Sequence, residues 1–457
     1  MTDEFDVIVI GAGPTGENAA ARAVRGGLSA AIVESELVGG ECSYWACMPS
    51  KALLRPVAVT AEARHVRGVT GTELQPDKVL ARRDSFASHW KDDGQVEWLH
   101  GAEIELFRGA GRLAGPRVVE VGDRLLRARQ AVVVATGTDA VVPAELASAR
   151  PWTSREATSA RQVPARLVIV GGGVVACEMA AAWSALGSRV TLLARGRLLA
   201  RLPEFAGDLV AAGLRDAGVD VHLGATVAAV RAADGTVRTT CTVADGVTEA
   251  DEILVATGRS PRTTDLGLET IGLTPGQWLT VDDTLRVPDV EGGWLYAAGD
   301  VNQLALLTHM GKYQARICGD AIAARAKGKK PKVTDWASTR CVPQVVFTVP
   351  EVASAGLTHE AAERAGLRTR VVEYEIGNVA GASLYDDDYR GRAQMIVDED
   401  RRVIVGMTMA GPGTGEMIHA ASIAIAGQVP LDRLWHAVPS YPTISEVWLR
   451  LLEEYGM

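Results

Sequence analysis

Two cysteines five positions apart, Cys42 and Cys47, stand in the run Gly39-Gly40-Glu41-Cys42-Ser43-Tyr44-Trp45-Ala46-Cys47-Met48-Pro49-Ser50-Lys51. A thiol pair at this spacing, at the entry to a helix, can close a local disulfide. A helix N-terminus with a cation nearby favours a thiolate there. Spacing alone leaves a blander reading open, two unrelated buried cysteines. The other chemistry-bearing residues are glycines. Gly11, Gly13 and Gly16 form G-x-G-x-x-G between a β-branched run (5–10) and an Ala-rich helical stretch. In such a turn the first glycine allows the sharp bend, the second admits a pyrophosphate and the third lets helix and strand pack closely. Glu34 ends the next strand, where a carboxylate accepts hydrogen bonds from ribose hydroxyls. A near copy follows at Gly171-Gly172-Gly173-Val174-Val175-Ala176. Glu34 lies 23 positions after Gly11, and the matching position after Gly171 is Ala194, followed by Arg195 and Arg197. An acid there repels a 2′-phosphate and arginines pair with it, so the second site is expected to take NADPH.

These residues need a frame. A chain of 457 residues allows roughly three domains. With 47% hydrophobic and 23% charged residues it can bury full cores, which excludes a disordered or fibrous protein. A net charge of −9 argues against a nucleic-acid partner. No apolar run reaches the ~18 residues of a membrane span. The acidic start lacks the basic and apolar segments of a cleavable signal, so a cytoplasmic location is expected. Six cysteines in this length do not make a disulfide scaffold. Cys177, Cys241, Cys318 and Cys341 are expected to be small buried hydrophobes.

Strand, glycine turn, helix and strand recur at 5–34 and 167–193, giving two βαβ units. Apolar strands end abruptly at Thr136-Gly137, at Thr257-Gly258-Arg259 and at Gly299-Asp300. Positions 60–110 are helical in pattern and carry no motif. A lysine-rich, Pro-containing joint at 326–332 reads as solvated. Past about 336, strands at 344–347, 369–374, 393–397 and 403–409 alternate with two helical stretches, a third domain of α+β type.

The Gly-Gly-Glu-Cys42-x4-Cys47-x-Pro49-Ser50-Lys51 segment resembles the redox-active segment of the flavoprotein disulfide reductases. That family includes dihydrolipoamide dehydrogenase, glutathione reductase and mercuric reductase. The resemblance runs through both Rossmann motifs, Ala298-Gly299-Asp300-Val301, Leu307-Thr308-His309 and the segment 342–351. It implies an α/β fold with two Rossmann-like domains, for FAD and NAD(P), and a C-terminal α+β dimerisation domain. The expected boundaries are 1–150 and 283–335 for FAD, 151–282 for NAD(P)H and 336–457 for the interface. FAD would be held by Gly11, Gly13, Gly16, Glu34, Lys51, Thr136, Gly137, Asp300, Thr308 and His309. NADPH would be held by Gly171, Gly173, Ala176, Arg195, Arg197, Gly258 and Arg259. Cys47 would lie next to the flavin, Cys42 would be the outer sulfur, and Lys51 would pair with Glu178. A homodimer is implied, because the segment from Tyr441 to Glu446 completes the partner's site. No resident metal ion is expected.

One departure changes the expected chemistry. Disulfide-reducing members carry His-Pro-Thr-x-Ser-Glu, with the histidine as acid–base group, and this chain reads Tyr441-Pro442-Thr443-Ile444-Ser445-Glu446. Imidazole titrates near pH 6.5 and phenol near 10, so Tyr441 cannot shuttle protons to a leaving thiolate in the same way. His309 and His436 are the candidate replacements. The reading is therefore an NADPH-dependent FAD oxidoreductase whose acceptor is a small-molecule or protein disulfide, a metal ion or a quinone. The rivals are a dihydrolipoamide dehydrogenase using NAD, a mercuric-reductase-like metal reductase, and a redox sensor with negligible turnover. The tail, Glu453-Glu454-Tyr455-Gly456-Met457, has no mercury-delivering cysteine pair. The bulky insert 43–46 is expected to narrow access to Cys42.

Overall fold

The computed structural model describes residues 2–232, 235–241 and 247–457. They fall into two compact units, one of residues 1–49, 84–141 and 258–339, the other of 50–83, 142–257 and 340–457. In the first unit the strand Thr2–Ile10 lies between Ala30–Glu34 and Arg124–Val134, all parallel. Ile104–Arg108 extends the sheet beyond Ala30–Glu34, and Leu295–Ala297 pairs with the far edge of Arg124–Val134. Val118–Val121 and Gly111–Leu113 add an antiparallel flank.

Val7, Val9, Ile32 and Val133 pack against the helices Pro14–Arg25 and Thr308–Ala326. Ile8, Ile10, Val33 and Val132 pack on the other face. Both faces are covered, which is why these strands read as continuous apolar runs instead of alternating ones.

The second unit holds a parallel sheet in the order Asp220–Leu223, Arg189–Ala194, Arg166–Val170, Glu252–Val255. The helix Val174–Ala185 is almost entirely buried along its length, from Ala176 to Trp183. A five-stranded antiparallel sheet runs in the order Pro343–Val346, Val352–Gly356, Val403–Ala410, Arg392–Asp398, Thr369–Glu375. The helices Thr414–Ala426 and Val447–Tyr455 pack on it.

Four of those five strands match the expected ones. Val352–Gly356 was not foreseen, because Val-Ala-Ser-Ala-Gly lacks the β-branched alternation of a half-buried strand. Residues 258–282 group with the first unit, where Arg259–Pro261 pairs antiparallel with Thr138–Ala140.

Cys177, Cys318 and Cys341 are buried as expected, and the side chain of Cys241 lies outside the described set. Among the described residues no helix is long and apolar enough to cross a membrane.

Candidate functional site

The first unit contains a cleft of about 440 Å³ whose wall includes Gly11, Gly13, Glu34, Cys42, Thr136, Gly137, Asp300 and Thr308. The glycine turn builds its floor. A Cβ on Gly16 would fall onto the Gly11 carbonyl oxygen, so helix and turn approach as closely as the motif requires. Gly13 and Gly137, by contrast, face open space. At the far end Glu34 Oε2 accepts from the Ala12 N–H at 2.7 Å, and Oε1 accepts from the Glu36 N–H at 2.8 Å. Each carboxylate oxygen keeps a lone pair for a ribose hydroxyl.

Asp300 is held by a buried network: Gln314 Oε1 accepts from Gly299 N at 2.8 Å and from Asn302 Nδ2 at 2.9 Å. Burial pushes the Asp300 carboxyl up, against the pull of Arg259 and the Thr138 hydroxyl. Arg259 donates to Thr138 Oγ1 and to its carbonyl, both at 3.0 Å, and lines the cleft. It was expected at the nicotinamide nucleotide. Both it and neighbouring Gly258 fall in the first unit.

The thiols reach this cleft through Gly39 and Gly40. Both are left-handed, and a Cβ on Gly40 would meet Gly13 Cα at 2.8 Å. The short helix Gly40–Tyr44 therefore starts against the nucleotide turn and presents Cys42 to the cleft. Cys47 opens the helix Cys47–Arg64, and its sulfur lies 3.2 Å from Thr308 Oγ1, at the first residue of Thr308–Ala326. A hydrogen bond with Cys47, with burial, pushes the Cys42 thiol well above its ordinary range. Thr308 and the charge of Lys312 act in the opposite sense.

The insert turns its bulk inward. Tyr44 is buried, its hydroxyl donates to the Val38 carbonyl at 2.9 Å, and Trp45 meets it edge-on. The expected narrowing of access to Cys42 does not come from Tyr44.

Sequence reasoning missed Arg262. It donates to Asp139 Oδ1 at 2.6 Å and to Glu41 Oε1 at 3.0 Å, tying the residue before Cys42 to the cleft rim. Burial opposes its charge, but Asp139 and Glu41 outweigh that and its pKa is raised.

In the second unit Lys51 and Glu178 come together, Nζ to Oε2 at 2.8 Å. Glu178 is 3% exposed, and its other oxygen accepts from the Phe347 N–H at 3.0 Å. The Lys51 ammonium also sits 4.9 Å from the centre of the Phe347 ring. Lys51 lies one helical turn beyond Cys47 in the same helix.

The second glycine turn caps the helix Val174–Ala185 with Gly173, which faces open space, and buries Ala176. A Cβ on Gly172 would touch Ala194 Cβ at 3.2 Å and the Arg197 carbonyl oxygen at 3.4 Å, so the arginine stretch abuts this turn. Arg197 Nη2 donates to the Ala200 carbonyl at 2.9 Å, while its Nη1 is buried with no hydrogen-bond partner. Arg195 is exposed.

Tyr441 is 76% exposed. Glu446 is buried and accepts from Arg450 at 2.6 Å through Oε1, and its Oε2 has no partner. Tyr441 and Glu446 therefore do not form a hydrogen-bonded dyad within one chain. His309 and His436 are both exposed, and neither lines the cleft.

A family model described as pyridine nucleotide-disulphide oxidoreductase matches residues 5–328, and the dimerisation domain of that family matches residues 342–451. This chain belongs to that family. The oxidoreductase is 29% identical over 465 residues to a dihydrolipoyl dehydrogenase of Chlamydia muridarum, covering 98% of this chain and 96% of the relative. It is 32% identical over 469 residues to dihydrolipoyl dehydrogenase 3 of Pseudomonas aeruginosa, covering 98% and 97%. Among solved structures it shares its fold with LpdA from Mycobacterium tuberculosis, at a TM-score of 0.84 and 23% identity over the whole of both chains. The Cu(II) complex of the HOCl-induced flavoprotein disulfide reductase RclA from Escherichia coli matches at a TM-score of 0.83 and 23% identity, covering 99% of each chain. Membership makes the protein a flavoprotein oxidoreductase of FAD. The cleft fits that group, with open glycines for the pyrophosphate and free lone pairs on Glu34 for the ribose.

Proposed function

We propose that this oxidoreductase passes electrons from NADPH to a redox-active Cys42–Cys47 pair, and from there to a disulfide, metal-ion or quinone acceptor. The observation that carries the reading is the thiol pair at the nucleotide cleft, with Cys42 on its wall and Cys47 against Thr308. FAD, when bound, supplies the two-electron relay between nicotinamide and disulfide.

The chain does the rest. Glu34, Gly13 and Asp300 orient the flavin nucleotide, Thr308 steadies Cys47, and the Lys51–Glu178 pair fixes a cation one turn beyond it. With a disulfide acceptor, the Cys42 thiolate attacks one acceptor sulfur and expels the other as a thiolate. Cys47 then attacks the Cys42 sulfur, expels the second thiolate and restores the Cys42–Cys47 bond. NADPH is preferred because Ala194 stands where a ribose-binding acid would be and the stretch Arg195–Arg197, whose backbone abuts the turn, offers guanidinium groups that pair with a 2′-phosphate.

Two copies of the chain would assemble through residues 342–451, and Tyr441 stands where an acid–base histidine would reach the partner. Lipoamide turnover with NAD is the second reading, favoured by the names of the sequence relatives and opposed by Tyr441. A dedicated metal reductase is the third, since RclA forms a complex with Cu(II). Steady-state oxidation of NADPH and NADH with lipoamide, glutathione disulfide, Cu(II) and a benzoquinone, in wild type and Cys42→Ser, separates them. The proposal requires at least one acceptor whose NADPH-driven reduction collapses in Cys42→Ser. Equal rates in the two proteins for every acceptor refute it.

A further inference from the structure

The link between the helices Pro76–Phe86 and Asp93–Gly101 departs from what its residues prefer. Ser88, His89 and Trp90 have φ of +49°, +52° and +56°, three consecutive left-handed residues with no glycine among them. L side chains visit that region mostly as single residues, and a bulky one there is an outlier. Burial of the turn's own side chains does not explain it, because Ser88 and His89 are exposed. Asp92, two residues on, is diverted as well. It stands at the N-cap of Asp93–Gly101 yet gives that helix no side-chain bond, the use that makes aspartate common there.

Both side chains go to the redox segment instead. Trp90 Nε1 donates to the Tyr44 carbonyl at 3.1 Å, an acceptor left over at the end of the short helix Gly40–Tyr44. Asp92 Oδ2 accepts from the Val38 N–H at 2.8 Å and from Arg108 Nη2 at 2.6 Å, and Arg108 Nη1 donates to the Glu36 carbonyl at 2.8 Å. The Tyr44 hydroxyl closes the ring of contacts on the Val38 carbonyl at 2.9 Å. The two anchored residues, Val38 and Tyr44, bracket Cys42 in the chain.

We infer that residues 88–92 form a clasp that positions Cys42 for Cys47, with Trp90 and Asp92 as positioning residues. This rests on the reading of Cys42–Cys47 as the working disulfide. Two glutathione thiols reduce that bond to a dithiol and leave as glutathione disulfide, and the reverse exchange closes it again. Closure is favoured when the two sulfurs stay near each other after the bond opens, at high effective concentration. Anchors on both sides of Cys42 limit its travel in the open form. The left-handed turn is the backbone that delivers the indole N–H and the carboxylate together, and such outliers are kept where a site needs them.

The test equilibrates the purified holoenzyme anaerobically in glutathione buffers without NADPH, then alkylates it and reads the Cys42–Cys47 peptides by mass. Trp90→Phe keeps a ring and removes the donor, and Asp92→Ala removes the acceptor. Each should shift the equilibrium toward the dithiol by about tenfold, about 30 mV for a two-electron couple, with flavin absorbance retained. His89→Gly takes the left-handed turn without steric cost and keeps both bonds, so it should raise the melting temperature and leave the equilibrium as in wild type. Wild-type equilibria in Trp90→Phe and Asp92→Ala overturn the clasp. An equal shift in His89→Gly also overturns it, because the backbone of the turn and not the two side chains would then set the pair. If Trp90→Phe is recovered without flavin, Asp92→Ala decides by the same equilibrium. A wild-type protein that forms no Cys42–Cys47 disulfide in any of the buffers overturns the reading beneath it instead.

Discussion

Arg197→Ala separates coenzyme choice from folding. In the structure Arg197 spends one guanidinium nitrogen on the Ala200 carbonyl and buries the other without a partner. An unpaired buried donor on a charged group costs about 1–3 kcal/mol, so removing it takes a liability away along with one hydrogen bond. The two nearly cancel, and the melting temperature of the coenzyme-free protein should stay within a few degrees of wild type. Binding is affected differently. A charge-assisted hydrogen bond to a phosphate contributes about 1.5–3 kcal/mol, which is roughly ten- to a hundredfold in kcat/KM. Arg195, being exposed and solvated, contributes less. Arg197→Ala should therefore lose roughly ten- to a hundredfold in kcat/KM for NADPH, and NADH should be unaffected. Steady-state kinetics with both coenzymes on one acceptor measures it. An equal loss for NADPH and NADH would refute the reasoning, because it would make Arg197 a structural residue of the turn.

Three further outcomes follow from named contacts. Lys51→Met strands the Glu178 carboxylate, buried with a single backbone N–H, at a cost of about 3 kcal/mol; adding Glu178→Gln should recover most of the lost thermal stability, whereas additive losses would show that the pair is not coupled. Gly16→Ala drives a methyl group into the Gly11 carbonyl and should yield colourless, flavin-free protein, which an absorbance spectrum of the purified variant checks. Tyr441→His places an imidazole on the segment that carries the unpartnered Glu446 Oε2 and should raise lipoamide turnover at neutral pH about a hundredfold, with a new inflection near pH 6.5; no gain would place the block elsewhere.

Local chemistry made much of the site legible in the sequence. The glycine turns stand out because close approach of backbone to phosphate tolerates few other residues. Glu178 is conspicuous as a carboxylate on an otherwise small and apolar helix, and Lys51 is its partner at 2.8 Å. What stayed hidden depends on contacts between distant segments. Arg262 and Glu41 are 221 positions apart and look like ordinary loop charges until the Arg259–Pro261 strand pairs with Thr138–Ala140. That same three-residue pairing, too short for any periodicity, groups residues 258–282 with the first unit and sets Arg259 on the cleft wall. Glu17 reads as a polar residue on an Ala-rich helix, and only the folded chain, with Gln95 donating to its carboxylate, shows that it is buried. Tyr44 and Trp45 look like obstructions in a linear reading, but Val38 and Trp90 hold Tyr44 inward.

The central claim is that Cys42 and Cys47 lie in the electron path. Anaerobic titration of the purified holoenzyme with NADPH, in wild type and Cys47→Ser, tests it most directly. Wild type should take up twice as much NADPH per flavin as the variant and develop a long-wavelength thiolate charge-transfer band at the first equivalent. If both proteins instead bleach at the same stoichiometry with no such band, the disulfide is not reduced and the account fails.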